Sequence, residues 1–568
     1  MRIALVSGPG SAGLLRRLRD DGTPDGPSER VPELAVAVAA QEAAGPVRWV
    51  WRSGRALYPE LLRAGTRVGR CHDVELTASL LLARDGPAET PADTAPTPAS
   101  QPRPAEAARE RPQLPFDSPQ AAPDPHDELT ALIAAHADQQ ARIRADADPV
   151  RFGLLAAAES AGGLAAAEMT ATGLPWHADV HDALLTSMLG PRPPTTAGPP
   201  LRPARLGELA MQISAALGFA RPVNPDSPAQ LLRSLAAGGI RVPSTRSSVL
   251  RTIDHPVIPL LLEYKELARL HTANGWSWLD SWVAGGRFRP EYVVGGVVSG
   301  RWASRGGGAL QIPKVLRKAV IADPGWTLVV ADAAQLEPRV LAALAGDQAF
   351  AQAASAGDLY AAVAAAIGGE RATAKVALLS AMYGGTGGDR GQSLALLRRR
   401  FPQASAFVEG AARAGEEGRV VRSVLGRACP PPSADWRALT RESADPDVQR
   451  DPSSGAAARA RGRFTRNFVV QASAADWALV LLALLRARLA TATSSASVPI
   501  SRWPVSRRPE LVFFQHDEVI VHCPNDLAAE VAAAVQAAAA GATRLVFGAT
   551  EVSFPMTTAV VGCYADAK

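Results

Sequence analysis

Lysine is nearly absent from this chain of 568 residues: five occur among its 60 lysines and arginines. A surface built on arginine suits phosphate contacts, although the same bias beside abundant alanine and proline is also what a GC-rich genome writes. Cysteine is scarce too. Cys71, Cys429, Cys523 and Cys563 lie far apart with no C-x-x-C pair, which argues against a zinc ribbon or a disulfide framework and fits a reducing compartment. No run approaches the roughly 18 apolar residues of a membrane helix, and the opening MRIALVSGPG has neither the charged flank nor the long apolar stretch of a signal peptide. The expectation is a soluble, intracellular protein. What is present is globular in balance, with 47% hydrophobic residues, 20% charged residues and a net charge of +5. That excludes a disordered chain and leaves length for three or four domains.

Along the chain, residues 1–85 predict a small α/β unit, with apolar strands at Arg2 to Val6 and Val47 to Trp51 and a helix through Leu76 to Leu82. Residues 86–125 are rich in Pro, Ala, Thr, Ser and Gln, too poor in apolar residues to pack, and read as a linker or loop. Helical spacing then dominates from about Glu128 to Leu270, including Leu206 to Leu217 and Pro259 to Leu270. Beyond it, GWTLVVADAAQLEPRVLAALAGD predicts a strand passing into a helix and ELVFFQHDEVIVHC a β-hairpin. A second Ser, Arg and Pro-rich insertion covers Thr491 to Glu510.

The chemistry concentrates in three places. The run Leu328 to Val330 ends at Asp332, which therefore sits at a strand end. Strands Leu511 to Phe514 and Val519 to Val521 flank Gln515, His516, Asp517 and Glu518, so these acids are expected exposed and rigid on a tight turn. Taken singly, each acid could be an ordinary turn or cap residue. Two carboxylates at strand ends facing one cleft are what two Mg²⁺ ions need to clamp the attacking and leaving oxygens of a phosphoryl transfer. In ERATAKVALLSAMYGG, Arg371, Lys375, Leu379 and Tyr383 are four apart and share one helix face, which Gly384 and Gly385 end. Arg and Lys one turn apart can hold a triphosphate, and a ring further along can stack on a base. A solvated basic face is the bland alternative, but Lys375 is one of only five lysines.

ADAAQLEPRV, RATAKVALLSAMYGG and FFQHDEVIV resemble, in order, motifs A, B and C of the family A DNA polymerases. SGRWAS, ALQIPK and RNFVVQASAADW resemble the family's flanking stretches, and the likeness runs from about Arg151 to Lys568. The resemblance implies a multidomain α/β and α+β fold: an N-terminal RNase H-like exonuclease-type domain (1–85), a helical connection (126–200), and a palm-fingers-thumb polymerase domain (200–568). Within the last, the thumb would take about 200–290, the palm 290–350 with 465–568, and the fingers 350–465. It implies a DNA-directed DNA polymerase extending a primer on a template with dNTPs, using two Mg²⁺ ions with Mn²⁺ as a substitute. A monomer in the cytoplasm, at the nucleoid, follows from the same likeness.

Carried over by position, Asp332 and Asp517 would bind the metals, with the Ala333 carbonyl as a further ligand and Glu518 as an auxiliary acid. Arg371 and Lys375 would bind the triphosphate, with Lys375 as general acid to the leaving pyrophosphate. Leu379, Tyr383, Gln335 and Tyr360 would line the nucleotide site, and Glu337 would crowd the sugar 2′ position. Arg301, Gln311, Arg463, Asn467, Gln471 and His516 would track the primer-template.

Departures from the family are specific. Ala333 and Ala334 replace an aromatic and a serine, Pro338 a leucine, Leu379 an aromatic, Ser380 a glycine, and Tyr360 a phosphate-binding histidine. CHDVELTASLLLA resembles a helix of the exonuclease domain, but MRIALVSGPG contains no acid, and Asp73 and Glu75 spell D-x-E in the wrong segment. Proofreading chemistry is expected absent. Two weaker signals are set aside: Gly8, Gly10 and Gly13 as a dinucleotide fingerprint, and His177 with His181, Asp179 and Asp182 as a metal site rather than a solvated helix face. A non-catalytic DNA-binding clamp and a single-subunit RNA polymerase remain as alternatives. Glu337 and the primer-template segment count against the latter.

Overall fold

The first 73 residues form a sheet because their apolar runs are short, β-branched or aromatic, and broken by Gly and Pro. In this computed structural model, which describes residues 1–85, 124–194, 202–384, 390–442, 452–494 and 508–567, strands β1 (Arg2–Ser7), β2 (Gly13–Leu18), β3 (Glu29–Val31), β4 (Arg48–Trp51) and β5 (Arg70–Asp73) lie in the order β3-β2-β1-β4-β5. β1 is antiparallel to β2 and parallel to β4, and β4 is parallel to β5. Ile3, Ala4, Leu5 and Val6 are all buried, as a central strand covered on both faces requires.

One face, carrying Ala4, Val6, Leu14, Leu18 and Val50, packs on Leu129, Leu132 and Ile133 of the Pro125–Arg144 helix. The N-terminal sheet thus packs on a helix that lies beyond residue 85. The sheet has a second apolar face, and the helix that covers it comes after the 86–123 segment, which lies outside the described residues. The helix starts where the sequence allows: Asp124 accepts from the His126 amide at 2.9 Å and Pro125 occupies the first turn. The Gly8 to Ala12 turn joins two antiparallel strands, so it is a hairpin and not the strand-to-helix loop of a dinucleotide site. Gly13 is needed there, since a Cβ would lie 2.8 Å from Leu34 Cδ1 and 2.9 Å from the Val6 carbonyl.

The chain divides into two compact units, each discontinuous in sequence. The first joins 1–164 to 340–354 and 359–479. At its centre, buried Arg427 reaches Glu159 Oε2 at 2.9 Å and Asp476 Oδ1 at 3.2 Å, while the Leu425 amide donates to Asp476. Burial pushes the Asp476 carboxyl up, and Arg427 opposes that shift. The second unit comprises 165–339, 355–358 and 480–568. Its main sheet is antiparallel, β12 (Glu510–Gln515), β13 (Glu518–Pro524), β11 (Trp326–Ala333) and β14 (Met556–Val561) side by side in that order, with the Ala528–Phe547 helix against it. Smaller pairings join β6 (Leu174–Pro175), β7 (Val283–Ala284) and β8 (Arg287–Phe288), and β9 (Glu291–Val293) with β10 (Ala303–Arg305). Arg486 clamps Glu168 at 2.9 and 2.7 Å, tying two pieces of this unit together.

Two expectations are corrected. His181 is not on a solvated face: it is fully buried, its Nδ1 accepts from Trp176 Nε1 at 3.3 Å, and its Nε2 sits 3.0 Å from the Asn274 carbonyl. Both nitrogens are thus used, and of the two histidines His177 is the exposed one. An apolar stretch of membrane-spanning length does exist, in the Ser453–Leu489 helix, but 83% of its window is buried inside the protein.

Candidate active site

Asp332 lies on the central strand β11, opposite Glu518 of β13 and Thr557 of β14. Beyond it the Ala333 amide donates to the Asp517 carbonyl at 2.9 Å, so the backbone of the β12–β13 turn is bonded to the strand that carries Asp332. Gln515 and Glu518 are the last paired residues of that hairpin, leaving His516 and Asp517 as a two-residue loop. His516 adopts φ 57°, as a tight hairpin demands at its first loop position. Gln335, just past β11, has the same φ, and among the described non-glycine residues these are the two with positive φ. Backbone strain therefore sits on both sides of the acids. Asp332 and Asp517 are half-buried, and His516 is exposed.

The other acid of the turn does not behave as the sequence predicts. Glu518 is buried, and Tyr564 donates its hydroxyl to Glu518 Oε1. Glu518 lies directly across the sheet from Asp332, so the two carboxylates share one face. Burial and the neighbouring Glu518 push the Tyr564 phenol up, so it remains a donor.

Arg301 pairs with Glu337. Burial lowers the Arg301 guanidinium and Asp517 opposes the shift, which places this cation in the field of the loop carboxylate. Burial and then Arg301 lower His516. Arg339 is the residue that motif reading missed. It is wholly buried, and it bonds the carbonyls of Ala334 (2.9 Å), Ser553 (2.9 Å), Ala356 (3.0 Å) and Gly357 (2.8 Å). Gln335 spans to Asp358 at 2.9 Å. The turn after Asp332 is thus fastened from within, by an arginine that sequence alone places on a helix with apolar neighbours. Gln311 lies in the 3₁₀ turn Ala309–Gln311, and its side chain is outside the described residues.

In the first unit, the Arg371–Tyr383 helix buries Ala374, Ala377, Leu378 and Met382 and leaves Arg371 and Lys375 exposed, with Leu379 and Tyr383 half-buried below them. The face expected from the four-residue spacing is therefore real. Gly384 ends it at φ 77°, the left-handed cap that glycine supplies, while Gly385 lies outside the described residues. Tyr360 is buried on the Leu359–Ile367 helix, its ring centroid 5.7 Å from Arg371 Cζ and 5.8 Å from Lys375 Nζ. Arg463, exposed, and Asn467 and Gln471, half-buried, follow one stripe of the Pro452–Leu489 helix. Arg466 fixes that helix to the end of the basic one through the Ala381 carbonyl at 3.0 Å.

The sequence model of DNA polymerase family A matches residues 203–560. The chain belongs to that family. Curated family A relatives include DNA polymerase I, thermostable, of Thermus filiformis, 33% identical over 105 residues, which are 16% of this chain and 12% of that protein. DNA polymerase I of Deinococcus radiodurans is 34% identical over 110 residues, 17% of this chain and 11% of its own length. The chain thus aligns with only a small part of either protein. Among solved structures, the POL domain of Pol1 from M. smegmatis, in complex with DNA primer-template and dNTP, shares the fold at TM-score 0.67 and 18% identity, covering 100% of this chain and 95% of that one.

Among the described residues no group of three or more His, Cys, Asp or Glu gathers as a ready-made metal cage. The donors that exist suit a different kind of site. Two carboxylates on bonded neighbouring segments, with backbone oxygens alongside, offer hard oxygen ligands to a divalent cation that takes the rest of its shell from water and phosphate. Glu518, across the sheet from Asp332, gives one carboxylate oxygen to the Tyr564 hydroxyl.

Proposed function

We propose that this chain is a template-directed DNA polymerase that extends a primer 3′ end with dNTPs and releases pyrophosphate. The observation that carries the reading is the Ala333 to Asp517 backbone bond, which ties the tight hairpin loop bearing Asp517 to the strand bearing Asp332. Asp332 and Asp517 would hold two Mg²⁺ ions, which when bound polarise the primer hydroxyl and neutralise charge on the phosphates. Arg371 and Lys375 bind the incoming triphosphate from the exposed face of their helix, and Lys375 gives a proton to the departing pyrophosphate. Arg301, by its pairing with Glu337, orients the carboxylate that selects deoxyribose. Arg463, Asn467, Gln471 and His516 contact the primer-template.

In this reading 200–290 is the thumb, 290–350 with 465–568 the palm and 350–465 the fingers. The strand order of residues 1–73 supports an exonuclease-like origin for the N-terminal sheet. Against exonuclease chemistry there stands the make-up of β1, which carries no acid. Asp73 is buried and occupied by the amides of Gly54 (2.7 Å) and Leu76 (3.0 Å), so it caps helices instead of binding a metal.

The test is extension of a labelled primer with Mg²⁺ and dNTPs, comparing wild type with Asp517→Ala and Asp332→Ala. Template-directed extension lost in both variants supports the reading. Salt-sensitive primer-template binding without extension by the wild type replaces it with a DNA-binding clamp, the role that Ala333, Ala334 and Leu379 would favour.

A further inference from the structure

We propose that Tyr360 is a positioning residue: its ring face holds Arg371 and Lys375 together as one polyphosphate-binding pair. This rests on the polymerase reading and adds to it a device built from a tyrosine where the family resemblance expects a histidine.

Arg371 and Lys375 are one helical turn apart, and like charges at that spacing repel. Each also ends a long, rotamer-rich side chain of an exposed residue. The same ring lies 5.7 Å from one cation and 5.8 Å from the other. An aromatic face is negative and attracts a cation at this range, so a single ring draws both charges inward and offsets their mutual repulsion. The ring itself has little freedom. Tyr360 is 6% exposed, and Leu359, Val363 and Ala364 bury the helix that carries it. An imidazole would serve a phosphate by hydrogen bonding, whereas the contact here is to the cations that bind it. The pair is then pre-set for a triphosphate, and less side-chain order has to be gained on binding.

The experiment is steady-state insertion of dATP opposite template dT by the full chain, with KM and kcat measured separately. Tyr360→Leu should raise KM for dATP about tenfold with a smaller change in kcat, and Tyr360→Phe should recover most of that loss. Phenylalanines with one, two and three ring fluorines at 360 keep the shape and fold while weakening the ring face, and should raise KM stepwise. A flat fluorine series, or a Tyr360→Phe variant as impaired as Tyr360→Leu, overturns the proposal and assigns the contact to the hydroxyl. The wild type separates the two failures: a wild-type chain that extends no primer removes the polymerase reading, while an active wild type with a flat series removes only the role of the ring.

Discussion

Arg339 shows how much one side chain can hold. Its fork satisfies carbonyls from three separate loops, at Ala334, Ala356 to Gly357 and Ser553. A lysine carries a single point of donation and cannot meet them together. Arg339→Lys is expected to lower unfolding stability by about 3 kcal/mol, because buried carbonyls lose their donors. Urea denaturation measures it, and an unchanged midpoint would show the fork to be dispensable. At the hairpin, the left-handed backbone of His516 sets a different rule. Asparagine tolerates that conformation and β-branched residues do not. His516→Asn should stay within about 0.5 kcal/mol of wild type and His516→Val should cost about 1–2 kcal/mol, read from thermal melts without DNA.

At the scale of elements, the joint between the N-terminal sheet and the Pro125–Arg144 helix is built from uncharged histidines. His72 of β5 lies 2.8 Å from Gln139 Oε1, and its ring is 4.7 Å from that of His136. Neither nitrogen of His136 has a partner. Burial lowers His72 to about 4 and His136 to about 3, with the Arg2 charge acting in the same direction on both, and Arg48 on His72. In the unfolded chain these rings take up protons near pH 6.5. The unfolded state therefore binds more protons below that pH, and stability is full above it and falls as the pH drops towards 4. Each histidine contributes about 1.4 kcal/mol per pH unit across that window. Asp73 acts against them: burial raises it to about 6, so the folded state takes its proton first. His136→Leu should flatten the fall in melting temperature between pH 7 and pH 5, and a slope equal to wild type would place the proton uptake elsewhere.

For the molecule as a whole, electrostatics predicts the strongest condition dependence. In the proposed polymerase reading, an arginine-based chain of net charge +5 should lose primer-template affinity linearly on a log–log plot against salt, and Arg463→Ala should reduce the slope by about one phosphate contact. An unchanged slope would remove Arg463 from the interface. Much of this molecule was legible from sequence wherever one physical signal dominated. Apolar runs of strand length flanking Asp332 and Asp517 place both acids, and four-residue spacing puts Arg371 and Lys375 on one face. What stayed illegible depended on long-range burial. Glu518 reads like its neighbour until the sheet covers it, nothing in the sequence marks Arg339 for the three segments it bonds, and the N-terminal sheet reads as complete until a distant helix covers its second face. The sheet order carries a consequence for biosynthesis. β11 is central and apolar, yet both strands that flank it, β13 and β14, come from 518–561. At about 5–20 residues per second, the ribosome exposes β11 for roughly 10–40 s before either neighbour emerges. Throughout that interval the nascent chain presents two bare strand edges, a substrate for chaperones and a point at which slow translation would favour aggregation.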